Sequence, residues 1–509
     1  MQYSFEMKLP VSMPDSTNRR LAVVLAVVSG VVLLLFVITA ALRVRAPFEL
    51  EQHEGYMVQS VMHLMHGGRL YQQPDFTFLA NMYPPAFYSA ALAVGKLAGG
   101  VTFTTLRLVS IASTLASFGL IFLLVYGETR RGLAALAAAA LYAGAYPLCE
   151  GWFDLTRLDS FYVFTVLLAL WCTRSLPQPL AALAWVLAVQ TKQPILPVAV
   201  LLLCYDYCNV RRTVAGLVTF FAGLGLSVFW LNHTTGGWYS LYIFKEPKAN
   251  ANLLLRPGFL FPSEMMLRPF ALACLVVGVA IVFTRPHWSS AATRFYATTA
   301  SILLLTWYQM MHNGSAANIL MPAYAVLAIF FGLALARLLT AAASASSTSA
   351  VTVVLAAALI QVAAGIYSPG AYRPLPARAQ GADALVARLR AVPGDVYVPA
   401  HPIYGVMAGK AEHPDNISLE ETMRAMDPAS ARTLRQGIAA DLCTGRIAAL
   451  AFDSRNDFVA LGDLLQLDPG WRDRFSEPQL IGTEQIYQIP SWIMVAKLDG
   501  ALRPPCHAR

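Results

Sequence analysis

The sequence predicts an α-helical polytopic membrane protein with a small C-terminal α/β domain, and three observations support this fold class. Of the 509 residues, 57% are hydrophobic and only 13% are charged, whereas soluble domains carry roughly 25% charged residues. Long apolar runs recur as far as residue 366. Beyond about residue 370 they give way to short segments that alternate between strand-like and helix-like patterns.

The first apolar run follows Arg19 and Arg20 and is long enough to cross a bilayer. No small-residue cleavage site follows it, so we predict a signal anchor and not a cleaved signal peptide. The N-terminal residues 1–20 are then cytoplasmic, because basic residues beside a span are retained on that side.

Eleven apolar runs are predicted spans, and residues 21–366 form the predicted transmembrane domain. The spans are 21–42, 104–126, 132–148, 160–173, 178–190, 194–208, 213–231, 268–284, 294–311, 319–339 and 350–366. Several are shorter than the ~20 residues that usually cross a bilayer. Such lengths indicate that some helices are tilted or broken.

Lysines and arginines in short loops determine the predicted orientation. Four basic loops fall on the cytoplasmic side, namely 128–132, 173–179, 206–212 and 285–294. This assignment requires that residues 83–98 do not cross the membrane. That segment opens with two prolines, is short and carries Lys96, so we interpret it as an interfacial or half-inserted helix. Eleven spans then place the C-terminus outside.

The outer side is predicted to hold the residues that are suited to chemistry. Its segments are 43–84, 147–160, 190–194, 232–267, 312–318 and the tail 367–509. Each segment carries carboxylates, cations or amides, which simple spacer loops do not need. We therefore expect these segments to converge on one site at the outer membrane face.

The stretch EQHEGYMVQSVMHLMHGGRLY (51–71) predicts an amphipathic helix that lies along the bilayer surface. One face carries Met57, Val58, Val61, Met62 and Met65, and the other carries Gln59, Ser60, His63 and His66. Gly67 and Gly68 end the helix. Glu54 lies at its start, where it is either a general base for a hydroxyl acceptor or a cap that complements the helix dipole.

Charged residues also border two later spans. Asp154, Arg157 and Asp159 lie between apolar runs, where ionisable groups are costly and usually face a polar cavity or one another. Arg157 is suited to bind a phosphate bidentately while Asp159 holds it in place; the alternative is a structural ion pair. Lys192, followed by Gln193, either neutralises a phosphate leaving group or extends to the membrane interface.

Two further outer loops carry groups that suit sugar recognition. Trp238 and Lys245 lie in an aromatic-rich loop, and aromatic rings either stack on sugar faces or populate the membrane interface. Asn313 and Asn318 offer amides to sugar hydroxyls or phosphate, although helix capping is the commoner use of asparagine.

The tail 367–509 is predicted to be a small α/β domain. Its predicted strands are 394–400, 446–454 and 487–498, and its predicted helices are 381–392 and 418–426. His401 and His413 are predicted to be surface residues and not ligands. Cys443 and Cys506 form a disulfide if the tail is periplasmic, which the sequence leaves open.

Taken in order, these motifs resemble one family. The motifs are HEGYMVQSVMHLMHGGRLYQQPDF, YPPAFY, RLVSIAS (107–113), GWFDLTRLDSFYV (151–163), TKQP, GGWYSLYIFKEP and NGSAANILMP. In this order they resemble segments of the GT-C integral-membrane glycosyltransferases. The bacterial family 39-like branch is the most similar, and its relatives include protein O-mannosyltransferases, aminoarabinose transferases and oligosaccharyltransferase catalytic subunits. The resemblance covers roughly residues 20–366.

The resemblance implies a membrane glycosyltransferase that acts at the periplasmic face of a bacterial inner membrane. Its partners would be a polyprenyl-phosphate-linked sugar donor, membrane lipid and an acceptor glycan, lipid or protein of unknown identity. Nucleic acid is not expected, because the basic residues are scattered and form no stripe. Direct displacement with inversion at the anomeric carbon is the expectation for the family.

The resemblance also implies roles for individual residues. Glu54 maps to the catalytic base with Asp159 as a second catalytic acid, and Arg157, Lys192 and Gln193 map to donor-phosphate positions. The implied substrate-binding residues are Glu51, His53, Tyr83, Asp154, Trp238, Lys245, Asn313 and Asn318. Many relatives carry an adjacent acidic pair where this chain has His53-Glu54, which leaves Glu51 or Asp159 as the second acid.

We expect no metal site and no cofactor, although a divalent metal is not excluded. Phosphate is a competent leaving group and the sequence has no DxD motif, so fixed cations would stabilise the departing charge. The alternative function is a transporter or flippase of lipid-linked sugars. A transporter would show internal repeats and charges at mid-membrane, and neither pattern is evident in the sequence.

Overall fold

The computed structural model of the protein describes residues 16–285, 287, 289–312, 314–453, 455–466, 480–485 and 492–498. The helices up to residue 366 are α1 (Ser16–Arg43), α2 (Glu54–Met65), α3 (Ala86–Leu97), α4 (Phe103–Thr129), α5 (Gly132–Ala143), α6 (Leu158–Ser175), α7 (Gln178–Val189), α8 (Leu196–Leu203), α9 (Val210–Thr234), α10 (Trp238–Ser240), α11 (Glu246–Ala249), α12 (Leu255–Leu260), α13 (Arg268–Thr284), α14 (Ala291–Thr299), α15 (Ser301–Met310), α16 (Met321–Ser344) and α17 (Thr348–Ala363).

The eleven predicted spans all overlap helices of the structure. Among the described residues, six helical segments are long and apolar enough to cross a membrane: Ser16–Arg43, Phe103–Thr129, Gly132–Cys149, Val210–Thr234, Leu255–Thr284 and Ala317–Ser344. Residues 83–98 contain α3, which has 12 residues. A helix of that length rises about 18 Å and is too short to cross a hydrocarbon core of about 30 Å.

Helix α16 forms the centre of the bundle. It packs against α4, α5, α13 and α17, and 89% of its most apolar window is buried. Its neighbour α5 is rich in alanine, so the two backbones approach closely. A Cβ atom at Gly332 would lie 2.8 Å from Ala138 Cβ and 3.0 Å from the Ala134 carbonyl oxygen, so this contact requires glycine.

Helix α9 lies at the periphery and has the opposite burial pattern. Only 11% of its apolar window is buried, and large side chains such as Val218, Leu226 and Phe229 are exposed. An exposed apolar helix is costly in water and favourable against lipid tails, so α9 is suited to face the bilayer.

The tail forms the predicted α/β arrangement. Its described elements are α18 (Pro376–Ala391), β1 (Asp395–Tyr397), α19 (Pro402–Met407), α20 (Asn416–Ala425), α21 (Pro428–Thr444), β2 (Ile447–Phe452), α22 (Arg455–Leu464), β3 (Leu480–Gln485) and β4 (Trp492–Lys497). The strand order is β1-β2-β4-β3, with β1 and β2 parallel and the other pairs antiparallel. The sequence did not predict β3, α19, α21 or α22.

The first outer loop and the tail share a hydrophobic core. Phe76 and Leu79 of the loop are buried among Tyr397, Leu419 and Leu450 of the tail. Cys443 is disulfide-bonded, and Cys506 lies outside the described residues. Because the loop contributes to the core of the tail, its position is coupled to the tail.

This packing corrects two predictions. Helix α2 was expected to lie on the bilayer surface, but its residues from Glu54 to Val61 are all buried, because α3 covers one side and α19 of the tail the other. His401 and His413 were expected at the surface, but they are only 1% and 4% exposed. Both errors have one cause, since the tail docks onto α2.

Candidate active site

Four segments that are predicted to lie on the outer side bring polar and charged side chains together next to the ends of α6 and α7. Glu51 precedes α2, Arg157 caps the N-terminus of α6, and Asp159 lies in the first turn of α6. Lys192 follows α7, and Asn318 lies in a 3-10 turn before α16. These residues are up to 267 positions apart in the chain, so only tertiary folding places them together. We call this set the anion cluster.

Asp159 is the centre of the anion cluster. Its Oδ1 accepts hydrogen bonds from Lys192 Nζ and from Asn318 Nδ2, each at 2.9 Å. Its Oδ2 lies 3.8 Å from Arg157 Nε, and neither atom has a hydrogen-bond partner among the described residues. Burial alone would lower the pKa of Lys192, but Asp159 raises it above its usual value. Lys192 is therefore charged at neutral pH.

Glu51 lies at the open edge of the anion cluster. Its carboxylate accepts from Arg157 Nη1 at 3.4 Å and is 2.8 Å from His53 Nδ1. The side chains of Glu51 and His53 are 14% and 31% exposed. Although burial opposes ionisation, Arg157 and His53 hold the pKa of Glu51 below its usual value. The carboxylate of Glu51 is thus ionised and partly exposed, and it lies beside the Arg157 cation.

Aromatic rings form the wall of the anion cluster. The guanidinium carbon of Arg157 lies 4.6 Å from the centroid of the Trp152 ring. The Lys192 ammonium lies 5.8 Å from the Tyr83 ring and 5.6 Å from the Tyr162 ring. Cation–π contacts orient both cations without neutralising their charge, which leaves them able to bind an anion.

Glu54 lies outside the anion cluster and is fully buried. Its Oε1 accepts from Arg107 Nε at 2.9 Å and from the Thr156 amide at 2.7 Å. Its Oε2 accepts from Arg107 Nη2 and from the Leu50 amide, each at 2.7 Å. These bonds outweigh burial and lower the pKa of Glu54. The geometry does not support the expectation that Glu54 is the general base, because both oxygens are occupied and inaccessible.

Asp154 forms a second sealed ion pair. Its Oδ1 lies 3.0 Å from Arg43 Nη1 and accepts from the Tyr146 hydroxyl at 3.0 Å. Both charged side chains are 1% exposed. The expectation that Asp154 binds substrate is therefore not supported, because the pair connects α1 to the segment before α6 and faces no solvent.

The fold has similar solved structures. ArnT from Cupriavidus metallidurans bound to undecaprenyl phosphate is 13% identical, with 96% of this chain and 100% of that chain covered and a TM-score of 0.61. Its apo form is 14% identical, with 94% and 98% covered and a TM-score of 0.57. The archaeal oligosaccharyltransferase AglB from Archaeoglobus fulgidus, in complex with an inhibitory peptide and a dolichol-phosphate, is 10% identical, with 91% and 73% covered and a TM-score of 0.51.

The chain has the GT-C fold. No family model and no curated protein matches the sequence. At 10–14% identity the likeness to ArnT and AglB concerns the fold alone, so the roles of individual residues must be argued from the geometry of this chain.

Three other expected site residues lie away from the anion cluster of the GT-C fold. Gln193 donates to the carbonyls of Met82 at 2.8 Å and Ile243 at 3.3 Å, so it ties two outer loops together. Lys245 is exposed and Trp238 is partly buried against the core. Among the residues that the structure describes, neither has a hydrogen bond or ion pair to the cluster. Asn313 lies outside the described residues.

Arg107, which the sequence did not mark as a site residue, makes the largest set of buried contacts in this part of the GT-C fold. Arg107 is fully buried in α4 and binds Glu54 as well as the carbonyls of Ala46 and Phe48, at 2.6 and 2.7 Å. The motif RLVSIAS contains it, but a lone arginine near the start of an apolar run looks like an interfacial residue. Its burial depends on acceptors that come from distant segments.

Within the described ranges, no group of three or more histidine, cysteine or acidic residues could hold a metal ion. A pocket of about 630 Å³ is lined by Ala317 and Leu320 of the 3-10 turn that carries Asn318, and by Glu264, Arg268 and Tyr324. Its lining includes no residue of the anion cluster. The two nearly buried cations of the anion cluster suit an anionic ligand.

Proposed function

We propose that this protein is a membrane glycosyltransferase that moves a sugar from a polyprenyl-phosphate carrier to a hydroxyl acceptor. The observation that carries the proposal is the anion cluster, in which Arg157 contacts the partly exposed carboxylate of Glu51 and Lys192 contacts Asp159. The GT-C fold supports it, because ArnT was solved with undecaprenyl phosphate and AglB with a dolichol-phosphate. The proposal places the cluster at the periplasmic face of a bacterial inner membrane.

In this proposal Arg157 and Lys192 bind the phosphate of the donor. Both are nearly buried, with side-chain exposures of 8% and 10%, so their charges are weakly screened by water. Asp159 lies between the two cations, and Asn318 donates a hydrogen bond that holds the Asp159 carboxylate in place. Preorganised cations of this kind stabilise the negative charge that develops on a departing phosphate.

The general base in this proposal is Glu51 and not Glu54. Its carboxylate is ionised and 14% exposed, and one of its oxygens lies 2.8 Å from His53 Nδ1. When a donor phosphate binds Arg157, it competes for the guanidinium that now lowers the pKa of Glu51. Glu51 then becomes more basic at the moment when the donor is in place.

The proposed step is a direct displacement at the anomeric carbon. Glu51 takes the proton of the acceptor hydroxyl, and the hydroxyl oxygen forms a bond to the anomeric carbon. The bond between that carbon and the phosphate oxygen breaks, and its electron pair leaves with the polyprenyl phosphate. Arg157 and Lys192 stabilise the charge of the leaving group, so the step needs no metal.

The test is transfer by the purified protein in detergent or nanodiscs. A panel of radiolabelled polyprenyl-phosphate sugars is mixed with a membrane and periplasmic extract, and transfer to extract components is measured. We expect transfer by the wild type and at least a hundredfold loss in Glu51→Gln. The matched control is Glu420→Gln, which changes an exposed glutamate of α20 in the tail and should leave transfer unchanged.

A transport assay in the same lipids separates the alternative function. Wild-type protein that moves fluorescent lipid-linked sugars across proteoliposomes but transfers none of them would contradict the proposal and favour a flippase. Binding of polyprenyl phosphate alone does not decide between the two, because both activities require it.

A further inference from the structure

The tail contacts the segment that carries Glu51 at a buried histidine. His401, at the start of α19, places Nδ1 2.5 Å from Glu49 Oε2 and Nε2 3.1 Å from a carboxylate oxygen of Asp453. Glu49 and His401 are 0% and 1% exposed, whereas Asp453 is 26% exposed. The tail and the first outer loop are therefore joined by a histidine held between two carboxylates.

The loop has little freedom between this joint and the proposed base. Glu49 precedes Glu51 by two residues, which at ~3.8 Å per residue is a short tether. The same segment is held from the other side by Arg107, which binds the carbonyls of Ala46 and Phe48. A movement of Glu49 is thus transmitted to Glu51.

Close packing around Glu49 supports this coupling. The Glu49 amide donates to the hydroxyl of Tyr404 in the tail at 3.3 Å. A Cβ atom at Gly55 of α2 would overlap both the Glu49 carboxylate and Ile403 of the tail. Helix α2, the loop and α19 therefore meet with no room for an alternative placement of Glu49.

We infer that His401 is a positioning residue, which fixes Glu49 and thereby holds Glu51 in place within the anion cluster. This inference rests on the proposed function, because it assigns Glu51 as the base. His401 touches no reacting atom and acts through Glu49. The physical basis is that a base displaced by about 1 Å can lose on the order of a hundredfold in rate.

The charges around the joint favour an ion pair at neutral pH. Burial alone would lower the pKa of His401, but Glu49 and Asp453 raise it to about 10. Burial raises the pKa of Glu49 to about 7, against the effect of His401, and Glu51 and Glu54 raise it further. His401 stays charged until pH rises through about 10, whereas Glu49 becomes protonated as pH falls below about 7, so the ion pair is formed between about pH 7 and pH 10.

The primary variant is His401→Gln, and the matched control is His66→Gln, which changes an exposed histidine at the end of α2. We expect kcat for sugar transfer to fall about tenfold to a hundredfold in His401→Gln. The KM for the polyprenyl-phosphate sugar should change by less than about threefold, because Lys192 and Asp159 stay in place. A loss of folding would instead reduce donor binding and kcat together.

The double variant Glu49→Gln/His401→Gln tests the pair itself and guards against misfolding of the single variant. Two amides can hydrogen-bond without leaving a buried charge unpaired, so the double variant should recover part of the lost kcat. It should also lack the loss of activity that the wild type shows as pH approaches 10. Unchanged or lower kcat in the double variant would contradict the inference.

Hydrogen–deuterium exchange provides a readout that does not depend on activity. Amides of residues 44–56 should exchange faster in His401→Gln than in the wild type or in His66→Gln. Equal exchange, or faster exchange with an unchanged kcat, would overturn the inference. If the wild type transfers no sugar, the proposed function fails and the inference fails with it, whereas faster exchange would still show the joint between tail and loop.

Discussion

Two ionic groups lie side by side in this protein, and they use the same residue types for different ends. The Glu54–Arg107 pair is 0% exposed on both sides, and both carboxylate oxygens accept two hydrogen bonds. In the anion cluster, both oxygens of Glu51 have hydrogen-bond partners but the side chain is 14% exposed, and Arg157 Nε and Asp159 Oδ2 have no hydrogen-bond partner among the described residues. Both groups carry charged side chains. They differ in burial, and in whether each buried donor and acceptor atom has a hydrogen-bond partner.

Whether all the hydrogen-bonding atoms of a charged group have partners indicates whether the group serves stability or ligand binding. A buried ion pair that is fully hydrogen-bonded loses several kcal/mol when one partner is removed, because the other charge is left unpaired. A group with a free acceptor or donor can bind a ligand without breaking existing bonds. The sealed pair should therefore govern stability, and the open cluster should govern activity.

The largest expected effect separates the two acids by activity. Glu51→Gln should reduce sugar transfer by about 10²–10⁴-fold, the usual contribution of a general base, while the midpoint of thermal unfolding changes little. Activity per folded protein and the unfolding midpoint are measured on the same sample. Transfer at the wild-type rate would remove Glu51 as the base and reopen the assignment.

The next largest expected effect distinguishes Arg107 from Arg157 by the free energy of unfolding that is lost when each is replaced. Arg107→Met should lower the free energy of unfolding by about 3–5 kcal/mol, because Glu54 and the carbonyls of the first loop lose their donors. Arg157→Met should cost less, since its partner Glu51 reaches solvent. Denaturant unfolding in detergent measures both variants, and equal losses would show that saturation does not set stability here.

A smaller effect concerns affinity for the phosphate group. Lys192→Met should weaken binding of polyprenyl phosphate by about tenfold to a hundredfold, in line with about 1.5–3 kcal/mol for a hydrogen bond to a charged group. Lys245→Met changes an exposed lysine of a nearby loop and serves as the matched control. Calorimetry in nanodiscs measures both, and similar affinities would contradict the role of Lys192.

The smallest expected effect tests whether a buried carboxyl group without a hydrogen-bond partner belongs to the active site. Neither oxygen of Glu246 has a hydrogen-bond partner among the described residues, and burial, with nearby Glu421 and Asp415, raises its pKa well above 4.5. The folded state then holds a proton that the unfolded chain releases, so stability falls as pH rises above 4.5, by up to about 1.4 kcal/mol per unit.

Glu246→Gln should reduce this slope and leave sugar transfer unchanged, since Glu246 adjoins α20 and neither of its oxygens accepts a hydrogen bond from a cation among the described residues. The measurement is the unfolding midpoint between pH 5 and pH 8, with Glu264→Gln as an exposed control. A loss of transfer in Glu246→Gln would extend the candidate site towards the tail.

Much of the fold could be predicted from the sequence, because spans depend on local composition. A run of apolar residues forms a helix in lipid whatever its neighbours are, since every backbone group must be satisfied within the segment. The short helix before residue 98 and three of the tail strands follow from equally local patterns. The docking of the tail onto α2 could not be predicted, because it depends on side chains such as Ile403 and Phe76 that meet only in three dimensions.

The sequence by itself determined that ionisable residues lie at the ends of apolar runs and that Glu51, Glu54, Arg157, Asp159 and Lys192 are the candidate site residues. Only the tertiary structure decided which acid is sealed and which is open. The reason is that the partners of Glu54 lie 53 and 102 residues away, at Arg107 and Thr156. Whether a carboxylate is free to accept a proton depends on its surroundings in space, and a motif that spans a few residues does not contain them.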